Sequence, residues 1–363
     1  MAQTNKNMHT AKREKNDEFY TLLSDIEKEL RYYKEQFKDK VVYCNCDDAR
    51  QSNFFKYFSM NFEFLGLKKL ISTSFNANGK GTILIYEGDI NGNRKVDDEE
   101  IQVTELNGNG DFRSEECIEL LKQADIVVTN PPFSLFREYV TQLVQYDKKF
   151  LIIGNNNAIT YKEFFPYIIQ GKVWLGKTLF TGQMPFFIIP KHFEVTNDRM
   201  VEENGKRLKQ VNGVCWFTNL ENYKQNNPIS LIKTYNESEY PKYDNYNAIN
   251  VNKTKDIPYD YEGCIGVPIT ALKYLCSDGL LHFEVPMRER ERMCTESSVL
   301  PIMEATANTT CSNQQSIRIS SSNESSYNVY KIVGNEYTLD IEKGRGYVNG
   351  KRMYSRIFIQ KIN

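Results

Sequence analysis

At 363 residues, 40% of them hydrophobic, the chain can hold two domains or one enlarged α/β domain with a sizeable core. A formal net charge of −1 neither requires nor forbids a polyanionic partner, because a neutral protein can carry a local basic face. No apolar run approaches the roughly 18 residues that cross a bilayer, the polar opening MAQTNKNMHTAKREKN lacks the apolar stretch of an export signal, and eight scattered cysteines point to a reducing cytoplasm.

Leu22, Ile26, Leu30, Tyr33 and Phe37 recur at three- and four-residue spacing, which predicts a helix from Leu22 to Phe37. Val41 to Cys44 reads as a buried strand, and Asn53 to Leu65, rich in Phe and Tyr, as a second helix. Short apolar runs follow at Leu70-Ile71, Ile83 to Tyr86, Ile126 to Val128 and Phe150 to Ile153. Between the last two, Leu135, Phe136, Tyr139, Val140, Leu143 and Val144 outline an amphipathic helix. Short strands alternating with helices predict a mainly parallel sheet with helices on both faces, and such sheets bind ligands just beyond the carboxyl ends of their strands.

The texture changes near residue 225. Residues 305 to 328 are dominated by Thr, Ser, Asn and Gln and read as a loop, whereas Val329 to Val333 and Arg356 to Ile359 read as strands around a glycine-rich turn region. Two basic segments, Lys206 to Lys209 and Arg288 to Arg292, are candidates for a nucleic-acid-facing surface; the alternating signs of the second also fit a solvated helix face.

Asp89 to Glu100 follows calcium-loop spacing, with oxygen-bearing side chains at positions 1, 3, 5, 9 and 12. Position 6, which calls for glycine, is Arg94, and Ile83 to Tyr86 before it is no helix, so the segment reads as a polar loop between two strands. Cys44-x-Cys46 has no partner pair to close a zinc site, and no metal is expected. His9, His192 and His282 are the only histidines, so a histidine base has a low prior.

The segment from Asp125 through Asn130-Pro131-Pro132-Phe133 runs a strand straight into a rigid polar exit. The prolines fix the local path, so that the Asn130 carboxamide oxygen and the Pro131 carbonyl can converge on one point. An aromatic amine, whose lone pair is delocalised into its ring, needs two such acceptors before it attacks. They draw the nitrogen towards a tetrahedral shape and stabilise the positive charge that grows on it. Phe133 would stack on the target base. Asp111-Phe112 can receive an adenine in a similar way, the carboxylate accepting from the exocyclic amine while the ring packs on its face; the same Asp, followed by Ser114 and Glu115, also fits a helix start.

In the order of these segments the chain resembles the EcoRI-type adenine-specific DNA methyltransferase family. Asp17 to Thr21, including Phe19, Tyr20 and Thr21, resembles its N-terminal cofactor motif. Val42 to Asp48 followed by Ser52 to Phe55 resembles its first strand and loop; Gly110-Asp111-Phe112 resembles the cofactor-adenine motif; Asn130 to Phe133 resembles the catalytic motif; and Gly263 to Thr270 is similar to a further segment. The resemblance implies a Rossmann-like class I methyltransferase domain over residues 1–225 and a DNA target-recognition region over 226–363. It implies S-adenosylmethionine as methyl donor and double-stranded DNA as partner, with one adenine flipped from the duplex for N6 methylation. Host protection beside a restriction endonuclease is one implied role, orphan or phage methylation another.

The resemblance further implies cofactor contacts at Asn45, Cys46, Asp47, Ser74 and Asn130. Two departures bear on it. The loop Asn45 to Ser52 has no glycine, although most methyltransferases use glycine there to let the backbone approach the cofactor, and Ser74 stands where an acidic ribose ligand is usual. Three alternatives stay open at this point: methylation of an RNA base or a protein glutamine, methylation of cytosine N4, and a catalytically inactive DNA-binding relative.

Overall fold

The computed structural model describes residues 20–46, 48, 50–178, 186–189, 200–203, 205–221, 229–275, 279–285, 326–335, 346–353 and 356–362. Phe19, Asp47, Arg288 to Arg292 and most of 305–328 lie outside the described residues. The described residues fall into two compact units, the first taking those of Met1–Asn226 and Ile269–Leu280, the second those of Asn227–Pro268, Leu281–Glu336 and Asp340–Asn363.

The first unit opens with strand β1 (Tyr20–Thr21) and helix α1 (Leu23–Leu30). Strand β2 (Val41–Cys44) leads through a loop to helices α2 (Asn53–Met60) and α3 (Phe62–Leu65), followed by β3 (Lys69–Ser74), β4 (Thr82–Tyr86) and β5 (Ile101–Glu105). Helix α4 (Glu115–Gln123), β6 (Ile126–Thr129), α5 (Phe136–Gln145), β7 (Lys149–Asn155), α6 (Phe165–Ile169) and β8 (Trp174–Leu175) come next. Then follow β9 (Phe186–Ile188), β10 (Met200–Glu203), β11 (Lys206–Gln210) and β12 (Val214–Thr218).

Eight of these strands form one sheet in the order β5-β4-β3-β2-β6-β7-β12-β8. Its centre, β3-β2-β6-β7, is parallel, and β6 is buried along its whole length, as strands covered on both faces must be. The flanks are not parallel. Strand β4 pairs antiparallel with β3 because residues 75–81 are too short for the crossover of about a dozen residues that a parallel partner needs. Strand β12 runs antiparallel between β7 and β8, so the expectation of a mainly parallel sheet holds only for the middle. A second, four-stranded sheet, β1-β9-β11-β10, holds Tyr20 opposite Ile188 and Thr21 opposite Phe187, which puts both residues in a strand rather than at a helix start.

Helix signals stand close to where the periodicity puts them, with two interruptions. The second predicted helix is broken at Asn61, which divides α2 from α3. The first stops at Leu30, and only a short 3-10 turn at Lys34–Gln36 continues it, although Ile26, Leu30, Tyr33 and Phe37 are all buried as the stripe requires. A buried carboxylate accompanies this break. Glu29 is fully buried and accepts from the Tyr33 hydroxyl at 2.9 Å and from the Lys177 and Thr178 amides at 2.7 Å each. Burial pushes its carboxyl above the ordinary range, and these donors pull the other way.

In the second unit, β13 (Ile249–Asn250), β14 (Ile265–Pro268), β15 (Leu280–Val285), β16 (Ser326–Asn335) and β19 (Arg356–Lys361) form a sheet in the order β13-β14-β19-β16-β15. The hairpin of β17 (Tyr347–Val348) and β18 (Lys351–Arg352) falls in the predicted turn region. Strand β16 begins at Ser326, inside the stretch expected to be loop.

Removing the Glu29 carboxylate strands two buried donors and a half-buried one, each buried donor worth about 1–3 kcal/mol when unpaired. Glu29→Ala is therefore expected to lower stability by at least about 2 kcal/mol in chemical denaturation; a change below about 1 kcal/mol would show that the carboxylate does not tie α1 to residues 177–178.

Candidate active site

The order of strands reverses between β2 and β6: the chain steps outward from β2 to β3, then returns to add β6 and β7 on the other side. At such a switch point the loops leaving adjacent strands part and open a crevice. Asn45 leaves β2 and Asn130 leaves β6, so the two asparagines stand at neighbouring strand exits. Both are buried, Asn45 to 4% exposure and Asn130 to 7%.

The exits are tied together. The Thr129 hydroxyl donates to the Asn45 backbone carbonyl, and the Tyr139 hydroxyl, from α5, donates to the Asn45 side-chain oxygen. The next residue, Cys46, has φ 74°, the left-handed region that glycine adopts without strain and other residues seldom enter. The glycine-free loop thus makes a glycine-like turn with a cysteine.

Asn130-Pro131-Pro132-Phe133 forms the link from β6 to α5. Pro131 is buried, and Pro132 and Phe133 are half-buried, with Phe133 packed against the core cluster that includes Ile26 and Val128. The Leu135 amide donates to the Pro132 carbonyl at 3.0 Å and closes the turn into the helix. Phe136, Tyr139, Val140 and Leu143 then face inward at helical spacing, and Phe136 fills the space where a side chain at Gly154 would stand.

Asp111 and Phe112 precede α4. The N-cap of that helix is Ser114, whose hydroxyl accepts from the Cys117 amide at 3.3 Å, so Asp111 is not the cap. Its carboxylate is gripped by Arg113, with Nη2 at 2.7 Å and Nε at 2.9 Å, and Arg113 reaches Glu138 on α5 at 3.0 Å. The guanidinium holds the Asp111 carboxyl below its ordinary range, which keeps the group an acceptor with lone pairs to spare. Phe112 is buried edge-on against the Tyr139 ring, 5.0 Å between centroids, and its carbonyl accepts from Gln142 Nε2 at 3.2 Å.

Ser74 ends β3 and lies beside Gly110, where φ is 80° and a side chain would fall on the Ser74 carbonyl oxygen. Thr21 meets the end of the β2 loop: its carbonyl accepts from Asn53 Nδ2 at 2.6 Å, at the start of α2. Its own hydroxyl oxygen is buried with no hydrogen-bond partner among the described residues, an orphaned polar group of the kind a bound ligand or water would satisfy.

Of the residues singled out from sequence, Asn45, Cys46, Asn130, Asp111 and Phe112 are joined by direct or one-residue links. Ser74 joins them through Gly110, and Thr21 through Asn53 at the end of the β2 loop. Tyr139, Gln142 and Arg113 were not singled out. Periodicity alone marks Tyr139 as core, and the only hint of more is a phenol at a position where Leu packs equally well.

The Asp89–Glu100 segment lies between β4 and β5, as read. Its oxygens turn onto its own chain: Asp89 accepts from the Gly92 and Arg94 amides, Glu100 from the Ile90 and Asn91 amides, and Asp97 from the Asn91 and Asn93 side chains. Arg94 makes the sharp turn itself, at φ 61°. The basic segment at Lys206 is strand β11, where Lys206 and Arg207 stand opposite Glu203 and Glu202, so much of its charge is offset within its own hairpin.

Comparison with known proteins agrees with the resemblance. A family model described as "Adenine-specific methyltransferase EcoRI" matches residues 7–362. The chain is 54% identical over 280 residues to Type II methyltransferase M.EcoRI of Escherichia coli, covering 74% of this chain and 86% of the relative. It is 42% identical over 267 residues to Type II methyltransferases M.MgeORF184P of Mycoplasma genitalium and M.MpnI of Mycoplasma pneumoniae, covering 72% of this chain and 80% of each. The protein is thus a DNA methyltransferase specific for adenine, with S-adenosylmethionine as the methyl donor its class implies. Within that class the chain belongs to the EcoRI adenine-specific methyltransferase family.

Because Arg113 lowers the Asp111 pKa, Arg113→Ala is expected to raise it towards the ordinary carboxylate value. Protonation would then set in at a higher pH than in the parent protein. Carbon-detected NMR titration of the Asp111 carboxyl checks this, and an unmoved midpoint would mean that the ion pair does not act on the carboxylate.

Proposed function

We propose that the first unit is a Rossmann-like class I methyltransferase domain whose active centre is the β2/β6 switch point, and that the second unit is the target-recognition region. The parallel centre of the sheet, the reversal between β2 and β6 and the antiparallel β12 inserted before β8 support the first assignment. The compact second unit beginning near residue 227 supports the second.

The observation that carries the reading is the position of Asn130: a buried carboxamide at the exit of a wholly buried strand, held by two prolines and joined through Thr129 to the neighbouring exit at Asn45. In this reading the Asn130 side-chain oxygen and the Pro131 carbonyl accept both N–H bonds of the target amine. They draw its lone pair out of conjugation and stabilise the charge that develops on nitrogen. Phe133 stacks on the flipped adenine. Tyr20, Thr21, Asn45, Cys46, Ser74, Asp111, Phe112 and Asn130 border the cofactor site, with Phe19 and Asp47 assigned there on the resemblance alone. Asp111 would accept from the cofactor's adenine amine, and Phe112 would pack near that ring. S-adenosylmethionine supplies an electrophilic methyl on a sulfonium; the protein contributes position and electrostatics. The step needs no metal: positive charge passes from the sulfonium sulfur to the amine nitrogen, where two neutral acceptors stabilise it, and the methylated amine loses its proton readily to solvent.

Lys, Arg, Asn and Gln side chains of the second unit would hold phosphates and read base edges. The relatives' designation as Type II methyltransferases supports a role beside a restriction endonuclease. The described cysteines, Cys44, Cys46, Cys117, Cys215 and Cys264, are free thiols, which favours a reducing cytoplasm.

With the labelled donor and duplex DNA, Asn130→Ala is expected to lower methyl transfer by orders of magnitude, about 100-fold or more if it behaves as the loss of one transition-state acceptor does elsewhere. Cofactor affinity measured by calorimetry should change little. Unchanged methylation would remove Asn130 from the reaction, and label appearing in RNA or protein but not in DNA would redirect the substrate assignment.

A further inference from the structure

Tyr139 lies fully buried on the first helix after the catalytic tetrapeptide, and nothing in the reaction as described uses it. Its neighbours on the inward face are Phe136, Val140 and Leu143, where any large apolar side chain would serve. A hydroxyl there is costly to bury unless it finds a partner, and its partner is the Asn45 side-chain oxygen at the exit of β2. The same ring packs edge-on against Phe112, and one helical turn further Gln142 donates to the Phe112 carbonyl. One face of α5 therefore grips two segments remote in sequence, the β2 loop and the Asp111-Phe112 segment. The N-terminal end of that helix is joined directly to Asn130-Pro131-Pro132-Phe133.

The β2 loop gives this grip its purpose. Other methyltransferases let glycine decide where such a loop runs; here Cys46 holds a left-handed conformation unfavourable to a residue with a Cβ. Such a conformation persists only where the surroundings over-determine it. The residue just before it, Asn45, is fixed at both ends, by Thr129 through its backbone and by Tyr139 through its side chain.

We infer that Tyr139 is a positioning residue for methyl transfer: through Asn45 and Phe112 it holds the two cofactor-side segments in register with the tetrapeptide at the head of its own helix. This rests on the reading that Asn45 and Asp111-Phe112 border the cofactor site. Tyr139 touches neither the methyl group nor the base. It fixes the distance between the segments that do.

The test uses the full chain, duplex DNA and S-adenosylmethionine, with Tyr139→Phe, Asn45→Ala and the double variant. Tyr139→Phe keeps the ring and its contact with Phe112 and loses only the hydroxyl. Its KM and calorimetric Kd for S-adenosylmethionine are expected to rise about 10-fold, the order expected for one buried hydrogen bond lost. The kcat at saturating cofactor should stay within about 3-fold and DNA affinity should not change. Asn45→Ala removes the other half of the same bond without touching α5, so it should raise KM similarly, and the double variant should add little to either. A change below about 2-fold in both single variants, or strictly additive effects, overturns the inference. Should Tyr139→Phe fail to fold, Asn45→Asp set beside Asn45→Ala decides it: the carboxylate keeps an acceptor for the Tyr139 hydroxyl and should restore most of the affinity that alanine loses, and equal losses in the two overturn the inference. Failure of the parent protein to bind S-adenosylmethionine or to methylate DNA would count against the site reading instead.

Discussion

The hydrogen bond from the Thr129 hydroxyl to the Asn45 carbonyl joins the two strand exits around which the candidate site is built. It crosses the point where the sheet reverses its strand order, the place where a parallel sheet cannot close over its own edge. One strand exit leads to Asn130-Pro131-Pro132-Phe133, the other to the loop after Asn45, and this bond ties the two together. The residues around it follow from that constraint. The prolines stiffen one exit, the left-handed Cys46 turns the other away, and α5 is packed down on Gly154 so that its inward face meets both. Rigid placement of this kind is what a reaction needs when the cofactor carries the reactive group and the protein contributes geometry.

Much of the frame was legible in the amino-acid sequence, for physical reasons that also mark where legibility stops. The stripe from Ile26 to Phe37 and the face from Phe136 to Leu143 are periodic, so they announce a buried helix face whatever surrounds them. The wholly apolar Ile126 to Val128 announces a buried strand in the same way. Strand β5 was legible only as the far side of the Asp89 to Glu100 loop, because Ile101-Gln-Val-Thr-Glu105 is mostly exposed and its alternation rests on two apolar residues. The antiparallel attachment of β4 depends on connection length rather than on the apolar run itself. The buried partnership of Glu29 with the amides of Lys177 and Thr178 spans well over a hundred residues, and no local pattern records that meeting.

The site shows the same division. Asn130 to Phe133 is readable because its chemistry is local: two prolines and a carboxamide in consecutive positions. Asp111 was ambiguous between a cap and a ligand, and Ser114 takes the cap. The glycine-free loop looked like a departure because sequence shows which residue is present but not its φ; Cys46 performs the glycine's turn. Tyr139 was hidden because periodicity reports which side of a helix is buried and says nothing of what a hydroxyl finds there.

The hairpin of β4 and β5 has a bearing on how a polyanion meets this enzyme. It forms the outer edge of the eight-stranded sheet, an edge that in principle offers unpaired backbone to any passing strand. From Glu87 to Glu105 the chain carries seven carboxylates against two cations, Arg94 and Lys95. Lys69 and Lys80 pair with Glu87 and Glu105 at the two ends of the hairpin, while the carboxylates of the loop between them turn onto their own backbone and amide side chains and keep their charge. The edge is thereby closed to aggregation by charge, and the same field repels a phosphate backbone. The acidic loop thus sets this flank apart, in charge, from any surface that holds a phosphate backbone.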